Sequence, residues 1–504
     1  MNNMNNNNPD SFSVIDYFRG KTVFLTGATG LLGRQVVEKL LHCTEVDKIY
    51  ILMRAKRNKS IVEREKEYVQ NQLFKFRLCD AALSKISVIA GDISQDGLGI
   101  SITDRKKLLS EVHVIVHSAA TVRFDEPLSV AMNLNVRATQ RMMDLAADAR
   151  QLESFVYVST AFTHCYTGTL DEEISVPTVD PHMVLRLMSQ QDTTTFDTVT
   201  APQLIGPHPN TYTLTKSLSD HLVVERAKML KLPVAITKPA IITGPLSEPF
   251  PGYCDELTQA IPAVGVGIGM GITRVIPGAS DNHLPIIPVD TVANSVIMIA
   301  AKTACEPLAD PRAYGIFNTS ANILTQGAAF TAGYECSIKY PLLKALRPPA
   351  PLIMTKSKTI FNVLIFLFEI VFAMMADLML RAEGKKAVVG KIVAKAHKNI
   401  LLLSFFLLCD WQVRGSNNRK LFDSLTEKEK VVFAIDPLDQ VDWKAYFEKY
   451  YLGVRRFYFG EFGPENDAKA DARRHQISIT YNSILVLLSA AFIAAAYGLT
   501  YLLV

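Results

Sequence analysis

The chain has 504 residues, a formal net charge of +4 at pH 7 and a hydrophobic fraction of 49%. That length exceeds one ordinary domain and predicts a main unit of roughly 250 to 330 residues with further structure beyond it. So mild a charge excludes an argument for nucleic acid as a partner and agrees with anionic substrates or a membrane surface.

The chain opens on MNNMNNNNPD, which lacks the charged and apolar regions of a signal peptide, so residues 1–14 read as a disordered Asn-rich tail. Next, TVFLTGATGLLG at 22–33 breaks from an apolar strand into a glycine-spaced turn, and RQVVEKLLHC continues as a helix. Glycines at 27, 30 and 33 suit a tight bend, close approach of the backbone to a pyrophosphate, and helix-on-strand packing. Thr26, Gly27, Thr29, Gly30, Leu31, Leu32 and Gly33 are therefore candidate dinucleotide-binding residues. The strand KIYILMR (48–54) ends where an NAD site usually carries an acid on the ribose hydroxyl. Arg54 and Lys56 stand there instead, which suits a 2′-phosphate and predicts NADPH, although a solvated loop would read the same way.

Further buried strands are expected in KISVIAGDI (85–93), VHVIVHSAA (112–120), SFVYVST (154–160) and PVAITKPAII (233–242). With helices between them, the pattern is α/β: a Rossmann-type doubly wound parallel sheet. Asp92 is placed for the adenine edge, Ala119 and Ala120 let a cofactor pass close to the backbone, and Asn135 is placed to brace the site.

Tyr212 and Lys216 lie four apart on a predicted helix, hence on one face. A phenol whose pKa is lowered by a nearby ammonium can protonate a carbonyl oxygen as hydride arrives, and the same lysine can hold the nicotinamide ribose. Tyr17 with Lys21 and Tyr340 with Lys344 share the spacing, but Gly20 interrupts the first pair and Pro341 the second. Only Tyr212 follows a strand ending in hydroxyls, Ser159 and Thr160; one of them, Thr160 first, is expected to hydrogen-bond the substrate oxygen.

Prolines in RPPAPLIMTKSK mark a boundary near 345–358, beyond which apolar helices and cationic loops take over. FNVLIFLFEIVFAMMADLML (361–380) is apolar but carries Glu369 and Asp377, so dipping into a membrane surface or packing on the protein is expected rather than spanning. Lys391, Lys395 and Lys398 follow at helical spacing and form a basic face for anionic headgroups or for solvent. Residues 484–504, ILVLLSAAFIAAAYGLTYLLV, carry no charge and at about 1.5 Å per residue span about 31 Å, the thickness of a hydrocarbon core. Arg473, Arg474 and His475 precede them, which predicts a single-pass C-terminal tail anchor with the catalytic part in the cytosol. Seven cysteines without a CxxC pair predict neither a disulfide framework nor a zinc site, in keeping with a reducing compartment.

TGATGLLG, IYILMR, HSAATVRF, YVSTAF, YTLTK, KPAIITGPLSEPFPGY and IIPVDTVAN, in this order, resemble the fatty acyl-CoA reductases, extended short-chain dehydrogenases. WQVRGSNNRKLFDSL and VDWKAYFEKYYLGVRRF are similar to the helical C-terminal domain of that family, so the resemblance covers roughly residues 15–460. Lys238, Ala240 and Tyr253 depart from the Arg, Ser and Trp expected in those motifs. The resemblance implies a dehydrogenase domain at 15–345 and a mostly α-helical C-terminal domain at 359–462, ahead of the C-terminal transmembrane helix read above at 484–504. It implies NADPH-dependent reduction of a long-chain acyl-CoA to a primary alcohol through an enzyme-held aldehyde, at the endoplasmic reticulum or peroxisome, feeding wax or ether-lipid synthesis. A membrane-bound sterol dehydrogenase and a non-catalytic nucleotide-sensing tether are the competing readings. Cys165 lacks any sign of thiolate activation and is not expected to act as a nucleophile.

Overall fold

The computed structural model describes residues 12–55, 58–174, 176–257, 260–306, 310–317, 324–435 and 440–503. All but the last three residues of the expected tail 1–14 lie outside that range, as do Lys56 and Val504.

Seven strands form one sheet: β1 (Thr22–Thr26), β2 (Lys48–Met53), β3 (Ile86–Ala90), β4 (Val114–His117), β5 (Ser154–Val158), β6 (Val234–Pro239) and β7 (Arg312–Ile316). Every pairing is parallel, in the order β7-β6-β5-β4-β1-β2-β3. The chain builds outward from β1 to β3, returns to β4 on the other side of β1 and then builds the opposite way, which opens a crevice at the switch between β1 and β4. β1, β5 and β6 are buried at every residue, because helices cover both faces of the sheet. Their apolar runs therefore lack the alternation of a half-exposed strand. The sheet is the expected one with β7 added at its edge.

The chain divides into two compact units that do not follow its linear order. The first takes Met1–Phe250, Pro285–Ile323 and Trp411–Val441; the second takes Pro251–Leu284, Leu324–Asp410 and Asp442–Val504. The linear division expected at 345–358 thus falls inside the second unit, and the stretch beginning WQVRG belongs to the first. The returning segment is tied in by Glu172, whose carboxylate accepts from the backbone N–H groups of Gly315 (2.9 Å), Ser416 (2.8 Å) and Asn417 (2.9 Å). Trp411 is buried there edge-on to Phe162, with ring centroids 5.3 Å apart.

The second unit is mostly helical, with a small parallel pair, Val275–Pro277 and Ile353–Thr355. Among the described residues one helix, Lys358–Ala382, is long and apolar enough to cross a membrane by length and composition. Its Glu369 is 2% exposed and accepts from the N–H groups of Arg274 (2.7 Å) and Val275 (3.1 Å). The acid in the middle of this apolar run is therefore an internal cap for a strand. The chain ends in a helix over Pro464–Leu503, continuous through the expected anchor.

Candidate active site

The site starts at the turn after β1. Gly27 has φ +77°, and a Cβ on it would lie 2.8 Å from the backbone of Ser118 and Ala119, so the end of β4 can close on the turn only against glycine. At Gly33 a Cβ would stand 2.3 Å from the Gly27 carbonyl oxygen, which fixes how tightly α1 (Leu31–Cys43) sits on the strand. Gly30 differs: a Cβ there would meet only that carbonyl oxygen, at 3.4 Å, and the residue is exposed. Gly30 is also the N-cap of α1 and supplies no side-chain cap, so the first N–H groups of the helix face outward. Open, positively polarised and bare of side chain, this terminus fits the pyrophosphate of a dinucleotide.

The remaining candidates of this region divide. Thr29 and Leu31 are partly exposed beside Gly30, whereas Leu32 is buried. Thr26 is fully buried and structural in its contacts: its hydroxyl meets His117 Nδ1 at 2.7 Å and accepts from Ala119 N–H at 3.2 Å. Ala119 and Ala120 line the crevice, half-buried, at the end of β4. Asp92, just past β3, accepts from the Ser94 N–H (2.9 Å) and hydroxyl (2.8 Å) and lies 3.6 Å from Arg54. Burial opposes its charge, but the Ser94 and Arg54 contacts outweigh burial and hold the carboxyl below its ordinary range. Arg54 is 64% exposed, free to turn toward a phosphate.

Tyr212 and Lys216 lie on α2 (Thr211–Leu230), whose N-cap Asn210 accepts from Thr213 N–H at 2.9 Å. The helix is buried all round from Thr213 to Asp220, and it carries Tyr212, Lys216 and Asp220 at four-residue intervals, hence on one face. Lys216 is 3% exposed and donates to the Val158 carbonyl (2.8 Å) and the Tyr157 hydroxyl (3.2 Å). It is thus bound to the end of β5 and does not bond the Tyr212 phenol. The expected lowering of the phenol pKa by this ammonium is not what the structure shows. Solvent reaches part of the Tyr212 side chain, yet burial is the largest influence on the phenol and pushes it up to about 12, the Thr160 hydroxyl opposing and the Asp220 charge adding to the rise. The phenol is protonated at neutral pH, the state a proton donor requires.

Thr160 closes the group at the C-terminal edge of β5. Its hydroxyl is the hydrogen-bonding neighbour of Tyr212, and it accepts from Phe162 N–H at 3.3 Å. Ser159 is buried and turned to Asp220 rather than to Tyr212. Asn135 braces the surround: it accepts from Thr121 N–H (2.9 Å) and donates to the Thr121 carbonyl (3.2 Å) and the Thr215 hydroxyl (3.0 Å). It does so from a wide turn at Met132–Arg137, the kind of helix irregularity often found at functional sites. Cys165 is wholly buried. The look-alike pairs are engaged elsewhere: Lys21 bonds Glu153 at 2.7 Å, and Tyr340 bonds Glu448.

Two groups here went unnoticed in the sequence, Tyr157 and Asp220. Asp220 is 1% exposed and no ordinary hydrogen bond reaches its carboxylate, so burial raises its pKa against the pull of Lys238, Ser159 and Lys216. Burial likewise lowers the Lys216 pKa, with the Asp220 charge opposing. In Asp220→Asn that opposing charge is gone and the ammonium loses its proton at lower pH. The alkaline limb of a kcat/KM pH profile should accordingly move to lower pH, and a profile identical to that of the unaltered protein would contradict this electrostatic role.

Comparison with known proteins gives this site its setting. Residues 25–296 match the NAD-binding family model described as male sterility protein, and residues 368–461 match the Sterile model of the same description. The Drosophila melanogaster protein named fatty acyl-CoA reductase wat is 33% identical over 485 residues, covering 96% of this chain and 92% of the relative. Human fatty acyl-CoA reductase 1 is 32% identical over 485 residues, covering 94% and 92%. Among solved structures, the terminal R domain of the myxalamid biosynthetic pathway shares the fold at TM-score 0.58 with 19% identity, covering 88% of this chain and 92% of that one. A reductase domain of a nonribosomal peptide synthetase from Mycobacterium tuberculosis does so at TM-score 0.54 with 20% identity, covering 88% and 94%.

Fold and relatives together define an oxidoreductase that uses a nicotinamide cofactor and acts on acyl thioesters. Within that class the chain belongs to the fatty acyl-CoA reductase family.

Proposed function

We propose that this chain reduces long-chain fatty acyl-CoA to the primary alcohol with NADPH, releasing CoA, through an aldehyde that stays on the enzyme. The observation that carries the reading is the influence of the Thr160 hydroxyl, at the end of β5, on the Tyr212 phenol, together with the bare Gly30 terminus after β1 of the same sheet. The relatives, themselves fatty acyl-CoA reductases by name, supply the substrate class.

A reduced nicotinamide, when bound, supplies hydride to the carbonyl carbon. Thr160 holds the thioester oxygen, and Tyr212 gives that oxygen its proton as negative charge develops on it. The resulting hemithioacetal collapses: its C–S bond breaks, its hydroxyl proton passes to the departing sulfur so that CoA leaves as the thiol, and an aldehyde remains against the same two hydroxyls. Tyr212, reprotonated, then serves a second reduction in the same way, so two hydrides and two protons convert the acyl group to the alcohol. Lys216, held on the Val158 carbonyl, would supply positive charge to the site and hold the ribose of a bound nicotinamide.

Arg54 favours NADPH by pairing with a 2′-phosphate. Arg54→Glu should lower the preference for NADPH over NADH by about 10- to 100-fold, the worth of one charge-assisted hydrogen bond, as read from kcat/KM with each cofactor. An unchanged ratio would remove Arg54 from cofactor selection.

Segment 484–504 anchors the chain in the endoplasmic reticulum or peroxisome membrane with the sheet in the cytosol, and the alcohol feeds wax or ether lipids. The test of the activity is NADPH oxidation by detergent-solubilised protein with palmitoyl-CoA, with product identification. Fatty alcohol as product supports the reading. NADPH binding without turnover of acyl-CoA, together with oxidation of a hydroxysterol, would replace it by the sterol dehydrogenase.

A further inference from the structure

The Lys358–Ala382 helix, hereafter α3, has two apolar faces of different character. Phe361, Ile365, Glu369 and Ala373, at four-residue steps, are all 3% exposed or less and pack inward, with Glu369 capping the strand at Val275. Val363, Leu367, Ile370, Met374 and Leu378, at steps of four, three, four and four, form the opposite stripe and are 36–68% exposed. Phe366 and Phe368 widen it. Such a stripe is about 23 Å long, and a contiguous apolar surface of that size in water marks an interaction site.

The charge around it is one-sided. Between residues 356 and 398 there are eight lysines and arginines against three acids. Two of those acids are used internally: Glu369 as above, and Asp377, which accepts from the N–H groups of Val389 (2.8 Å) and Gly390 (2.9 Å). Asp377 thereby starts α4 (Val389–Leu408), which packs on α3 through Val389 and Val393 against Ala373. On its other side α4 exposes Lys391, Lys395 and Lys398. The turn between the helices exposes Lys385 and Lys386.

Arg347 connects this pair to the last helix. It is 2% exposed, lies over the Phe372 ring at 4.3 Å, donates to the carbonyls of Phe368 and Ile272, and has the Tyr481 hydroxyl as a hydrogen-bonding neighbour. Tyr481 is three residues ahead of the uncharged segment that begins at Ile484. The exposed stripe and the root of that segment therefore meet at one buried arginine.

We propose that α3 and α4 form an in-plane membrane contact: the outer stripe of α3 sits among the acyl chains of a bilayer, and the lysines of the turn and of α4 meet anionic headgroups. Burial of the inner stripe argues against a spanning α3, because Glu369 and the strand pair it caps would then have to enter the hydrocarbon. Apolar face inward and cations at the rim is the arrangement of interfacial helices. The inference rests on the membrane location proposed above and adds a second contact to the anchor.

The test uses the full chain in sealed vesicles of phosphatidylcholine and phosphatidylserine, in a background with the exposed thiols removed as Cys79→Ser and Cys305→Ser. Single variants Met374→Cys and Leu378→Cys carry an environment-sensitive fluorophore, with Ile493→Cys reporting the anchor and exposed Val62→Cys as the aqueous control. Lipids brominated on the acyl chain should quench at 374 and 378 several-fold more than at 62. Lys356→Cys and Lys385→Cys, probed with a membrane-impermeant maleimide and read by peptide mass spectrometry, should both react. Reaction at only one of these two would mean that α3 spans and would overturn the proposal. Quenching at 493 without quenching at 374 and 378, as a second copy of the chain covering the stripe would give, overturns it while the anchor stands. Silence at all three sites removes the anchor and the stripe together, and quenching at 374 and 378 alone removes only the anchor.

Discussion

Tyr212→Phe is expected to lower kcat for reduction by about 10²- to 10⁴-fold, the usual worth of a positioned proton donor, while leaving cofactor affinity unchanged. That range corresponds to about 2.7 to 5.5 kcal/mol of transition-state stabilisation. The substitution removes one oxygen from a partly exposed ring stacked near Phe124 at a centroid distance of 5.9 Å, so the helix around it has no reason to rearrange. With the phenol pKa pushed up to about 12, Tyr212 holds its proton across the neutral range. Loss of activity in the phenylalanine variant should therefore be uniform from acid to neutral pH rather than confined to one limb of the profile. Measured kcat within a few-fold of the unaltered protein would show that another group delivers the proton.

A second pair of substitutions should separate holding the fold from holding the cofactor. Gly33→Ala drives a methyl to 2.3 Å from the Gly27 carbonyl and 2.6 Å from Ala28 Cα, both backbone atoms that cannot swing aside. Overpacking of this kind costs about 1 to 3 kcal/mol, and for a body of this size each kcal/mol lowers Tm by about 2 to 4 °C. Gly30→Ala meets nothing nearer than 3.4 Å, so its Tm should stay put. Yet its methyl would occupy the face proposed for the pyrophosphate, and NADPH affinity should fall steeply in a fluorescence titration. A Gly30→Ala protein that binds NADPH normally would place the dinucleotide elsewhere.

The sequence made the sheet legible where strands are buried on both faces, since such strands are continuous apolar runs and β1, β4 and β5 carry little else. β7 escaped notice because RAYGI is short, begins with an exposed arginine and follows Pro311, so it looks like a turn. Tyrosine, lysine and hydroxyl could be placed together because helical spacing and strand ends are local rules. The partners of Lys216 could not: Val158 and Tyr157 are 58 and 59 residues away from it, and nothing in either residue type announces a bond to an ammonium. Asp220 was hidden for a different reason. In a helix reading KSLSDHL, a carboxylate looks like a solvated residue, and only the tertiary structure reveals that it is buried.

The return of residues 411–441 to the first unit bears on how the protein is made and on how it can be cut. A ribosome that has delivered residue 345 has released every strand of the sheet but not the segment that occupies Glu172 and covers Phe162 with Trp411. At about 5 to 20 residues per second, roughly 5 to 20 s pass before residue 441 arrives, and for that interval the nascent sheet presents a Glu172 carboxylate bonded by Gly315 alone and an apolar hollow. A fragment ending near 345, or one spanning only the segment matched at 25–296, would keep that exposure permanently. Proteolytic dissection should therefore yield no soluble Rossmann fragment unless residues 411–441 remain bound to it.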